Sequence, residues 1–181
     1  MTRANRYVAF LRAINVGGNT IIKMADLRRA FESMGFANVE THIQSGNVLF
    51  ASAETSAERL VRRLEQGLEA SLGYRGSVFV LTPQQLKEAS ANNPFDPERL
   101  ESEQRCHLMF LSRAPDAAQR EALMKLQGAE YRFFVKGRVL YYAYPKVFDG
   151  SRRRAIDFEK VLGAVGTART WKVVNKLVEL A

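Results

Sequence analysis

The chain has 181 residues, 46% hydrophobic and 25% charged, with a formal net charge of +8; this is the composition of a soluble globular protein of one domain or two small joined ones. No apolar run approaches the ~20 residues of a membrane helix, and the apolar strand after the polar start Met-Thr-Arg-Ala-Asn-Arg is too short for the core of a signal peptide, so a cytoplasmic protein is expected. The single cysteine, Cys106, excludes an internal disulfide, and beside His107 it makes no zinc site, which needs three or four ligands.

Residues 7–11 are apolar at every position and read as a buried strand. Met24, Leu27, Phe31 and Met34 follow at helical spacing, with Asp26 at the positive end of the helix dipole and Gly35 as the C-terminal cap. Two short strands are expected over 38–43 and 48–51, joined by Gln44-Ser45-Gly46-Asn47, because Gly and Asn accept positive φ more readily than other residues. A second helix opens at Thr55, with Glu58 completing a capping box; Leu60, Leu64, Leu68 and Leu72 form its apolar stripe and Gly73 ends it. A fourth strand covers 77–81. Thr82 as N-cap and Pro83 as first helical residue then start a short helix to about Ala91. The run from Asn92 to Pro97 breaks that helix.

The order begins again after the break. Residues 106–111 read as a strand, and Asp116 caps a helix to about Leu126, with Glu121 and Lys125 at a favourable spacing and Gly128 after its end. Strands over 130–135 and 139–144 form a hairpin through Lys136-Gly137-Arg138. A helix over 156–162 stops at Gly163, a short strand covers 167–170, and 171–180 is a closing helix with Trp171, Val174, Leu177 and Ala181 on one face. The fold class expected is α+β: two tandem ferredoxin-like halves, each β-α-β-β-α-β with an antiparallel sheet, and a C-terminal helix. The first half, with its extra short helix, spans 1–92, the linker 93–104 and the second half 105–181. Both faces of residues 7–11 and 48–50 are apolar, so the first sheet is expected to be covered on both sides by packing of the halves together.

The stretches LRAINVGGN…IIKMADLRRAFESMGF and VETHIQSGNVLF closely resemble the opening of the DUF1697 family, small bacterial proteins of unknown function. TARTWKVVNKL is similar to that family's closing Arg-Asn-Trp-Asn-Thr segment. The resemblance spans almost the whole chain and implies two ferredoxin-like halves; it implies no activity. Ala13 stands where the family usually has Gly and His42 where it has Tyr; Arg169 and Trp171 match, whereas Thr170, Lys172 and Val173 replace Asn, Asn and Thr.

Topology indicates where a site would form. With strand order 4-1-3-2, the loop after strand one and the hairpin between strands two and three meet at one end of the sheet, joined there by the loop of Tyr74, Arg75 and Gly76. Backbone N–H groups near Gly17, Gly18 and Asn19, the first helix N-terminus, and the charges of Arg12 and Lys23 would then face an anion. Asn15, Gln44, Ser45, Gly46 and Asn47 would add hydrogen bonds and a close backbone approach. The same residues also make ordinary tight turns, and no P-loop or dinucleotide fingerprint is present.

Charge adds a second candidate. Residues 1–100 hold 12 Lys and Arg against 10 Asp and Glu, a net of +2; residues 101–181 hold 15 against 9, a net of +6. Arg152, Arg153 and Arg154, with Arg169, Trp171 and Lys172, form a basic patch with aromatics nearby, a pattern suited to nucleic acid and equally to a solvated loop. Catalytic residues are unassigned. Ser45 would need an adjacent base, and His42, three positions away on an extended strand, points to the other face; Cys106 and His107 likewise point apart. No cofactor or metal is implied. The expectation is a binding module for an anionic small molecule or a nucleic acid, with no membrane partner; alternatives are an enzyme acting on a small anionic metabolite at the Asn15/Ser45 edge, or a protein-interaction domain. Oligomeric state is left open, a monomer being the simpler expectation.

Overall fold

The computed structural model describes residues 4–15, 21–95, 104–128, 131–145 and 156–181. They divide into two compact units, Met1–Lys87 with Leu177–Ala181, and Glu88–Lys176.

The first unit runs β1 (Asn5–Leu11), α1 (Met24–Ser33), β2 (Ala37–His42), β3 (Asn47–Ser52), α2 (Ala57–Leu72) and β4 (Val78–Leu81). Its antiparallel sheet has the order β2-β3-β1-β4, the expected 4-1-3-2 arrangement. Tyr7, Ala9 and Leu11 of β1 and Val48 and Phe50 of β3 face the two helices, where they meet Leu27, Phe31, Leu60, Leu64 and Leu68. Full burial of each such Leu or Phe stabilises the fold by roughly 1.5–3 kcal/mol. Phe50 packs edge to face on Phe31 and Phe36, at centroid distances of 5.5 and 4.9 Å, and Phe31 and Phe36 are tilted at 5.9 Å. The alternate residues Val8, Phe10 and Leu49 are buried too, so neither face of the central strands meets water.

Chain ends of the helices follow local chemistry. Gly35, at φ 78°, ends the turn after α1, and the Arg63 guanidinium lies 4.8 Å over the Phe36 ring while donating to the Met34 carbonyl. The N-cap of α2 is Ser56, one residue after the expected Thr55, with its hydroxyl accepting from Arg59 N at 3.3 Å. Thr55 is displaced because Glu54 occupies the turn: its carboxylate accepts from Thr55 N at 2.9 Å and Ser56 N at 2.8 Å. The β2–β3 turn is also shifted by one. It comprises residues 43–46, and Asn47 is a fully buried strand residue paired with His42.

Helix α3 (Pro83–Ala91) carries the expected Thr82 cap, and Gln85 makes it reciprocal: Thr82 Oγ1 accepts from Gln85 N, and Gln85 Oε1 accepts from Thr82 N. The second unit then continues with β5 (Gln104–Leu111), α4 (Ala117–Met124), β6 (Arg132–Lys136), β7 (Val139–Pro145), α5 (Phe158–Leu162) and β8 (Gly166–Thr170), followed by α6 (Trp171–Leu180). Its sheet repeats the topology of the first, in the order β6-β7-β5-β8. Asp116 and Gln119 form a capping box on α4, Gly163 ends α5 at φ 57°, and Thr170 Oγ1 accepts from Val173 N at the start of α6. The β6–β7 turn is Gly137-Arg138; residue 130, where the sequence would begin this hairpin, lies outside the described residues. The helix-facing core holds Leu123, Phe133, Leu140, Tyr142 and Leu162.

Candidate functional site

Three segments of the first unit are tied together at one end of its sheet. At the end of β1, Leu11 N donates to Gly46 O at 2.9 Å, and just beyond it Arg12 N donates to Ser77 O at 3.0 Å. The Tyr74 hydroxyl donates to Arg12 O at 2.8 Å. The turn after β1, the 43–46 turn and the 74–77 loop therefore share one edge, as strand order requires.

Asn15 joins this edge to the start of α1. Its Nδ2 donates to Gln44 O at 2.7 Å and to Ile22 O at 3.0 Å, and its Oδ1 accepts from Ile22 N at 2.9 Å. One side chain thus closes the loop before α1 and pins it to the hairpin 29 residues away. Asn47 does similar work from below: its Nδ2 donates to His42 O at 3.0 Å and to Ser45 Oγ at 2.9 Å. Gly46 is required twice over. Its φ is 72°, and a Cβ there would stand 2.7 Å from Ile14 Cδ1 and 3.0 Å from Leu11 Cβ, both in fully buried side chains.

Left-handed backbone is concentrated here. Ala13, Asn15 and Ile43 have φ values of 54°, 55° and 49°. Asn adopts this region readily; Ala does so at a cost, and a β-branched Ile is an outlier. Ile43 is also 49% exposed, so packing does not explain its conformation.

The candidate residues divide into frame and surface. Asn15, Gly46 and Asn47 are built into the frame. Arg12 is half-buried, while Gln44 and Lys23 are exposed; Lys23 is the N-cap residue of α1 and gives that helix no side-chain cap. Ser45 is half-buried beside Asn47. Gly17, Gly18 and Asn19 lie outside the described residues. Residues 12–15, 21–23, 43–47 and 74–77 include three cations, Arg12, Lys23 and Arg75, and no carboxylate. Arg75 is paired with Glu69 of α2 at 2.9 Å.

The second candidate group is placed differently. Arg152, Arg153 and Arg154 lie outside the described residues. Arg169 is only 7% exposed, and its Nη1 donates to Thr167 Oγ1 and Ala168 O, both at 2.8 Å. Trp171 is half-buried and Lys172 exposed in the first turn of α6. Cys106 and His107 point to opposite faces of β5: His107 stacks on Tyr142 and Tyr144 at 5.0 and 5.3 Å, and Cys106 lies against Asn93. Among the described residues no group of three His, Cys, Asp or Glu is placed to hold a metal, and no helix is long and apolar enough to cross a membrane.

An Asn-stapled loop, a glycine hairpin and a tyrosine-tied turn thus build one sheet end of the first unit. The chain belongs to a family described as protein of unknown function (DUF1697), whose profile matches residues 4–141. Among solved structures it is similar to the conserved bacterial protein SP0830 from Streptococcus pneumoniae, with 24% sequence identity, a TM-score of 0.74 and 98% of each chain covered. That likeness establishes the shared α+β fold. No curated protein matches the chain.

Proposed function

We propose that the chain is a cytoplasmic module that binds an anionic ligand at the edge formed by Arg12, Asn15, Lys23, Gln44, Ser45, Gly46 and Asn47. One observation carries this reading: three segments distant in sequence converge on an edge to which they contribute Arg12, Lys23 and Arg75 and no carboxylate of their own, the carboxylates that reach it being Glu69, paired with Arg75 at 2.9 Å, and Glu65, which accepts from Val78 N at 3.0 Å. Asn15 and Asn47 spend both N–H groups inside the fold, so they hold the frame. Arg12 and Lys23 supply charge, the Gln44 side chain a neutral donor, and the start of α1 a favourable dipole. An anion of phosphate or carboxylate type is the class this set recognises. The test is calorimetric titration with inorganic pyrophosphate at low and moderate salt. Binding that weakens with salt and is lost in the double variant Arg12→Ala/Lys23→Ala supports the assignment. Absence of binding at low salt, where the electrostatic attraction is least screened, rules it out.

A further inference from the structure

One face of the second unit's sheet is covered by α4 and α5. The opposite face is filled at its centre by the unit's own chain. Tyr141 is buried there and its hydroxyl donates to Ala89 O at 2.8 Å; Asn93 Nδ2 lies 3.4 Å from Cys106 Sγ. Toward β6, the Arg132 guanidinium lies 5.2 Å over the Phe95 ring, and Lys136 Nζ donates to Asn92 Oδ1 at 2.7 Å. The central strands of this face, where sheets of this topology can present aromatic rings to RNA, are therefore closed to a ligand.

Between those two contacts the side chains of edge strand β6 on this face remain exposed. Alternation puts Arg132, Phe134 and Lys136 on the same face, and all are exposed, Phe134 at 40% with its ring tilted against Tyr141 at 5.9 Å. Arg138, in the adjoining turn, is exposed as well. Between Glu130 and Asp149 the sequence contains four cations and no carboxylate, three of them, Arg132, Lys136 and Arg138, on β6 and its turn. Arg132, Lys136 and Arg138 form no ion pair with a described carboxylate. Cations on an edge strand discourage edge-to-edge pairing; that accounts for the charges and not for an exposed phenyl ring between them.

We propose that β6 and its turn bind single-stranded nucleic acid, with Phe134 stacking a base and Arg132, Lys136 and Arg138 holding the phosphates on either side. Same-face side chains stand about 6.7 Å apart along a strand, roughly twice the 3.4 Å rise per stacked nucleotide. An unstacked strand fits that spacing and offers Phe134 a base face; a duplex keeps its bases stacked away from it. The site lies in the other unit from the anion edge and does not depend on it.

The test is fluorescence anisotropy with labelled oligothymidine and oligouridine across a salt series. Wild type binds at low salt and prefers the single strand to a duplex of equal length. The triple variant Arg132→Ala/Lys136→Ala/Arg138→Ala lowers the slope of log affinity against log salt by about 2. Phe134→Ala weakens binding by on the order of 5- to 100-fold. Phe134→Leu, which keeps bulk against Tyr141 without an aromatic face, weakens it similarly, and Phe134→Trp retains it. Thermal melts matching wild type establish that the variants fold. The proposal is overturned by no binding at low salt, by Phe134→Leu binding as wild type does, by polyglutamate displacing the oligonucleotide at equal charge concentration, or by loss of oligonucleotide binding in Arg12→Ala/Lys23→Ala.

Discussion

Gly46, Ala13 and Ile43 show how much of the N-terminal edge depends on single backbone positions. Gly46→Ala would place a methyl group against Ile14 and Leu11 at positive φ. The left-handed conformation costs an alanine about 1–2 kcal/mol, and overpacking adds about 1–3 kcal/mol; urea denaturation should register a loss of at least 2 kcal/mol. Ala13 has the opposite sign. At φ 54° it already carries the left-handed cost, so Ala13→Gly should stabilise the protein by roughly 0.5–1 kcal/mol even though glycine loosens the unfolded chain. A destabilised Ala13→Gly variant would mean that the methyl group contributes contacts worth more than the strain. Neither position was legible in the sequence: nothing about an alanine signals positive φ, and a β-branched side chain such as Ile43 argues for extended backbone.

Elements were legible where caps and periodicity agreed. The Leu60, Leu64, Leu68 stripe lies at zero exposure, and the caps at Thr82 and Asp116 form as their sequences imply. Where two polar residues competed, the boundary moved by one. Glu54 took the N–H groups that would have made Thr55 the cap, and it is paired with Arg59 at 2.9 Å. The Ser56 N–H bond, followed by the Arg59 charge, holds the Glu54 carboxyl below its ordinary range. A depressed carboxyl stabilises the fold above its unfolded pKa, and the contribution fades as pH falls through the folded value. Glu54→Gln should therefore be less stable than wild type at neutral pH, and the gap should close as the solution is acidified through the folded-state pKa; a gap that does not change with pH would count against a role for the charge. At the junction of α3 with β7, burial pushes the Tyr141 hydroxyl up to about 12. The unfolded chain ionises first, near 10, so this group's contribution is present below 10 and is lost as pH rises through 12. Tyrosinate absorbance should show a late step that disappears in Tyr141→Phe, and a titration unchanged by that substitution would refute the assignment.

At the scale of the molecule, both β-α-β-β-α-β orders could be read because strands with apolar runs alternate with capped helices. Strand ends could not, since β1 and β5 each extend two residues into polar sequence at their starts. Convergence of the two N-terminal corners followed from strand order alone. The division of their residues did not: side-chain amides that look like ligand donors in sequence are hydrogen-bonded into the frame. Burial of Arg169 was illegible for a related reason, because an arginine in a basic stretch reads as solvated and its local acceptors Thr167 and Ala168 become visible only when β8 is formed. The anion edge is tested most directly by amide NMR shifts during titration with inorganic pyrophosphate at low salt. Perturbations confined to Arg12–Asn15, Ile21–Ala25 and Gln44–Asn47, and absent from Arg12→Ala/Lys23→Ala, are expected; shifts at other positions only, or no shifts at all, would contradict an anion site at this edge.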